Sequence, residues 1–155
     1  MTGQELEELM SQAAMATTGR NVTVKLQEPA LDYASAETSK TLDGRAFVKL
    51  NPAGNYENLW ESYCHEVAHI LLDWSNIRPS NTHLAQARSE TKSPMIRKIV
   101  RNLPFEQRAE QVGKAIADYG RKKSYDVYTS CEDPVIVGYL KALIKYPRLK
   151  GLVTK

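Results

Sequence analysis

The alternation of apolar and polar residues divides the first third of the chain into one helix and two strands. Apolar side chains recur at helical spacing in residues 4–16, which predicts an amphipathic helix. The stretches NVTVKLQE (21–28) and GRAFVKLNP (44–52) alternate apolar with polar residues, so each predicts a half-buried strand. Residues 31–43 are rich in Ser, Thr, Ala and Asp and predict a loop or an irregular edge.

The rest of the chain has helical patterns separated by polar stretches. The predicted helices cover residues 56–74, 94–102, 104–119 and 134–146. Pro104 suits a first helical turn, and Gly120 suits the C-terminal end of the same helix. Together these elements predict an α+β fold in one domain over residues 1–155, with a small antiparallel sheet packed against the helices.

Composition narrows the class of protein without naming a function. A chain of 155 residues with 42% hydrophobic residues is long enough for a core of its own. The net charge of +3 and the absence of a long basic run do not indicate nucleic acid as a partner. Two cysteines are too few for a disulfide framework, and no apolar run suggests a signal peptide or a membrane span. We therefore expect a cytoplasmic protein.

The stretch YCHEVAHILLDW, within the predicted helix 56–74, carries the candidate chemistry. His65 and His69 are four residues apart, so on a helix they project from one face and can reach the same ion. Glu66 is displaced from that face by about 100°, close enough to touch a metal-bound water without being a ligand. In a chain with three histidines the pattern His-Glu-x-x-His arises by chance about once in 200 sequences. The motif therefore predicts a zinc site, with Glu66 beside it.

A catalytic zinc site needs a third protein ligand. His83 and Glu90 fall in the polar stretch 75–93 and are expected in an exposed loop. Asp73 shares the helix face of His69 but lies too far along the axis to close the site. Its remaining role would be to contact a metal ligand rather than the metal itself.

Glu106 and Glu110, four residues apart on the predicted helix 104–119, are better candidates for the third ligand. The small residues Ala109, Gly113 and Ala117 continue the face of Glu106 and would allow close approach to the histidine helix. Glu110 shares part of that face, and a carboxylate near a helix start also has a purely structural explanation. Spacing alone leaves both glutamates open.

CHEVAHILL followed by FEQRAEQVGKAIA resembles the zincin-like metallopeptidases of the ImmA/IrrE group and, less closely, the ArdC-like group. In the ImmA/IrrE group the downstream helix reads Glu-x-x-Ala-Asn/Asp with a small residue further on, and its Glu is the third zinc ligand. Glu106, Ala109 and Gly113 match that pattern, while Glu110 stands where the group has Asn or Asp. The resemblance covers residues 46–119.

The resemblance implies a zincin-like domain that hydrolyses peptide bonds. It makes His65, His69 and Glu106 the zinc ligands and Glu66 the catalytic general base. It also implies a protein substrate, such as a regulatory protein of a bacterium or a mobile element. Tyr125 and Tyr128 follow the second helix and are read either as packing residues or as donors to the reaction's oxyanion. The alternative function is a non-catalytic module that keeps the metal and binds a protein or nucleic-acid partner.

Overall fold

The computed structural model describes residues 2–27, 36–52, 55–77, 103–127 and 130–147. Four helices and three strands lie in these ranges: α1 Gly3–Thr18, β1 Val22–Leu26, β2 Ala36–Lys40, β3 Ala46–Leu50, α2 Tyr56–Asp73, α3 Pro104–Lys123 and α4 Val135–Lys145. The predicted α+β class is confirmed. The predicted helix 94–102, together with Tyr128, His83 and Glu90, lies outside the described residues.

The sheet differs from the prediction in strand content and direction. Its order is β1-β3-β2, with β1 parallel to β3 and β2 antiparallel to β3, so the prediction of an antiparallel sheet is wrong for one of its two pairings. Strand β2, at one edge of the sheet, occupies part of the segment 31–43 that was predicted to be a loop or an irregular edge. All five of its residues are only partly buried, so its strand form comes from pairing with β3 rather than from apolar alternation.

Helix α2 lies at the centre of the fold and is buried on most sides, as its apolar sequence predicts. Trp60 and Tyr63 are fully buried, and each polar group has a partner. The Trp60 indole N–H donates to the carbonyl of Ala117 on α3, and the Tyr63 hydroxyl donates to the carbonyl of Met10 on α1. These two bonds satisfy groups whose burial would otherwise be costly, and they tie α2 to α3 and to α1.

Helix α3 runs past Gly120, its predicted end, and continues to Lys123. The reason for a glycine at this position is contact with α2 rather than helix termination. A Cβ at Gly120 would lie 2.5 Å from Cζ2 of Trp60, so a side chain there would collide with the buried indole. Gly120 therefore lets α3 pass close to the Trp60 ring.

Candidate metal centre

His65 and His69 project from one face of α2 one turn apart, as the spacing predicts. Their Nε2 atoms are 3.1 Å apart, and the two rings meet edge to face. The His65 side chain is 28% exposed and that of His69 is 11% exposed, so the pair lies at the margin of the core and can be reached from solvent.

Glu106 in the first turn of α3 completes the cluster. Its Oε2 lies 3.0 Å from Nε2 of His65, and its Oε1 lies 3.2 Å from Nε2 of His69. Close helix packing makes this reach possible, because a Cβ at Gly113 would lie 2.8 Å from Cα of His65. The small face of α3 therefore brings a carboxylate of one helix to the histidines of the other.

Glu110 has a different environment. Its side chain is 59% exposed and forms an ion pair with Lys114, one turn along the same helix. Spacing left Glu106 and Glu110 open as candidates, and the packing of α3 on α2 brings Glu106 to the histidines while Glu110 faces solvent.

The three side chains form a group that could bind a metal ion. Tetrahedral zinc at about 2.0–2.1 Å from its ligands requires ligand atoms roughly 3.3 Å apart. The two Nε2 atoms are 3.1 Å apart, close to that value, and His65 and His69 lie 3.0 and 3.2 Å from different carboxylate oxygens of Glu106. Two imidazoles and one carboxylate are also a donor set that catalytic zinc sites use. The residues therefore fit a zinc ion, and the same set can hold other divalent transition metals.

The charges in the cluster depend on one another. Burial is the largest single influence on the pKa of Glu106 and would raise it, but the hydrogen bonds from His65 and His69 outweigh it and lower the pKa to about 2. Burial would likewise lower the pKa of His69. The contact with Glu106, the charge of Glu66 and the contact with Asp73 outweigh it and raise that pKa to about 9. A cation is thus electrostatically favoured at the centre of this cluster.

Glu66 is buried, with 5% of its surface exposed, and burial raises its pKa. The Thr38 hydroxyl on β2 donates a hydrogen bond of 3.2 Å to its Oε1. Sequence reasoning did not identify Thr38, because the segment that contains it lacks the apolar alternation of a strand. Phe105 was also missed: its ring centroid lies 6.1 Å from that of His69, and the side chain is 44% exposed.

Asp73 Oδ2 lies 3.3 Å from Nδ1 of His69, which puts it next to the cluster without joining it. Cys64, which precedes His65 in the chain, is a fully buried core thiol, and burial raises its pKa. Tyr125 is 91% exposed, so it does not pack in the core, contrary to its interpretation as a packing residue.

None of the described helices combines the length and apolar character needed to cross a membrane.

No protein-family model, curated protein or solved structure matches this chain. The case for a function therefore rests on the geometry and chemistry of the cluster itself.

Proposed function

We propose that the protein is a zinc-dependent peptidase with His65, His69 and Glu106 as metal ligands and Glu66 as general base. The observation that carries the proposal is the convergence of two imidazole nitrogens and one carboxylate within 4.8 Å of one another. The resemblance of the motif residues to zincin-like metallopeptidases supports the same assignment and suggests a protein substrate.

Glu66 supports a catalytic role over a purely structural one. A metal that only stabilises the fold needs no general base, and an unpaired buried carboxylate destabilises the folded state. In this chain the Glu66 carboxylate is buried immediately after a histidine ligand, with a threonine hydroxyl on one oxygen. Burial raises the pKa of Glu66 in the direction of neutral pH. A general base whose pKa is close to the working pH can both accept and return a proton.

Each residue then has a defined task. Bound zinc would supply the Lewis acidity that polarises a peptide carbonyl and makes water nucleophilic near neutral pH. Glu66 accepts a proton from the attacking water and delivers it to the leaving amine. Thr38 holds one oxygen of Glu66, so the other oxygen is left for the proton transfer. The ring of Phe105 lies next to that of His69.

The competing function is a metal-containing module that binds a protein or nucleic-acid partner without catalysis. Both functions require the metal, but only the peptidase requires the basicity of Glu66. A substitution at that residue therefore separates them.

The test compares wild type with Glu66→Gln, which keeps the size of the side chain and removes its basicity. Zinc content should stay at about one ion per chain, because Glu66 is not a ligand. Proteolysis should fall by roughly 10²–10⁴-fold, the usual contribution of a positioned general base. Glu110→Gln, which removes an exposed carboxylate, is the matched control and should behave as wild type.

Because the substrate has not been identified, the readout is a search by mass spectrometry for new peptide termini in cells that express each variant. Fragments that appear with wild type and with Glu110→Gln, but not with Glu66→Gln, are the expected result. Identical fragment profiles for all three proteins would favour the binding module.

A further inference from the structure

Asp73 contacts His69, and the proposed function gives this contact no role. Its Oδ2 lies 3.3 Å from Nδ1 of His69, on the side of the ring opposite to the metal cluster. Both side chains are largely buried, with 17% of Asp73 and 11% of His69 exposed. Within the described residues, the Asp73 carboxylate pairs with His69.

Helix stability does not explain a carboxylate at this position. Asp73 is the last residue of α2, where the helix dipole disfavours negative charge. The last turn of α2 also contains no basic residue that would compensate for it. A residue that breaks a local rule at the edge of a candidate site is expected to serve the site.

The two ring nitrogens of His69 have different neighbours, and this difference decides what Asp73 can do. Nε2 faces His65 and Glu106, whereas Nδ1 faces Asp73. A neutral imidazole carries one proton, and a carboxylate next to Nδ1 holds that proton there. The lone pair of Nε2 is then directed towards the cluster, which is the form that a metal requires.

We propose that Asp73 is a positioning residue that fixes the tautomer and the orientation of His69 for metal binding. The inference rests on the proposed function, because it assumes that the cluster binds a metal ion. Asp73 acts through His69, and no contact with the ion or with substrate is part of the proposal.

Zinc affinity tests the proposal without any need for a substrate. Zinc is titrated against a chelating dye in the presence of wild type, Asp73→Asn or Glu110→Gln. The two variants remove the same charge, but Glu110 is exposed and paired with Lys114. We expect Asp73→Asn to weaken zinc binding by about 10–100-fold, the usual effect of losing such a partner, and Glu110→Gln to bind as wild type.

The outcomes separate the two proposals. Wild type that binds no zinc overturns both the proposed function and this inference. Tight binding by wild type with an equal affinity for Asp73→Asn overturns the inference alone. An equal loss of affinity in Asp73→Asn and Glu110→Gln also overturns it, because a general charge effect would then explain the result.

A second measurement covers the case in which Asp73→Asn does not fold. Nitrogen-15 NMR of the zinc-loaded wild type reports which nitrogen of each histidine carries a proton. We expect a protonated Nδ1 on His69 that exchanges slowly with solvent. A His69 with its proton on Nε2, or with the metal on Nδ1, would overturn the inference whatever the variant does.

Discussion

Replacement of Gly113 by alanine tests whether α3 must pass this close to α2. The added Cβ would lie 2.8 Å from Cα and 3.1 Å from the backbone nitrogen of His65. The first distance is short of ordinary van der Waals contact by about half an ångström or more. Both opposing atoms belong to a helix backbone, so neither can turn away as a side chain would, and the two helices must separate.

The net effect follows from two opposing contributions. Alanine is the better helix former by about 0.5–1 kcal/mol, which favours the variant. Overpacking typically costs about 1–3 kcal/mol, and we take the upper part of that range because the clash is with backbone. The expected net loss of stability is about 1–2 kcal/mol. For a chain of this size, that loss lowers Tm by roughly 2–8 °C.

Thermal unfolding of the metal-free protein measures this loss, with Gly3→Ala as the matched control. Gly3 begins α1, and a Cβ there would have no atom within 4 Å, so the same chemical change should shift stability by no more than about 0.5 kcal/mol. Zinc affinity is measured in parallel and should fall by roughly tenfold in Gly113→Ala, because α3 moves Glu106 away from the histidines. A Gly113→Ala protein as stable as the control would refute the close approach.

Two further predictions concern the metal. Glu106→Ala should lose the zinc ion, whereas Glu110→Ala should keep about one ion per chain by native mass spectrometry. The reverse result would show that Glu110, and not Glu106, is the third ligand. Zinc binding near pH 7 should release protons, because a pKa of about 9 keeps His69 protonated in the metal-free protein and the metal requires the neutral ring. Apparent affinity should therefore rise with pH up to about 9, and calorimetry in two buffers of different ionisation enthalpy measures the release; a heat that does not depend on the buffer would contradict it.

The histidine helix was predictable from sequence because its signals are local. A long apolar run predicts a buried helix, and a four-residue separation fixes which side chains share a face. His65 and His69 therefore needed no knowledge of the rest of the fold to be placed together. Their shared orientation is a property of the helix itself.

The third member of the cluster depends on how two helices pack, which spacing within one helix does not determine. Glu106 and Glu110 lie on overlapping faces of α3, and either could have faced α2 after a small rotation about the helix axis. The contact of Gly113 with the backbone of His65 sets that rotation. A glycine within a helix was visible in the sequence, but its partner was not.

Strand β2 shows a second kind of non-local dependence. Its sequence, AETSK, contains no apolar alternation, and its strand form follows from hydrogen bonding with β3. The regular strand matters for the candidate site, because Thr38 on β2 donates a hydrogen bond to Glu66. An edge strand that is stabilised by its neighbour leaves little trace in a hydrophobic pattern.

The close contact of α2 with α3 links the stability of the core to the geometry of the site. Gly120 and the bond from Trp60 to Ala117 hold the C-terminal half of α3 against α2, and Gly113 holds its middle. About 10 Å of helix separates the two glycines, so α3 is fixed along two turns and its first turn extends towards the histidines. Side chains carried by packed helices are held more closely than side chains carried by loops. Gly113 and Gly120 therefore determine both the packing of the core and the position of Glu106. A substitution at either glycine should affect folding and metal binding together.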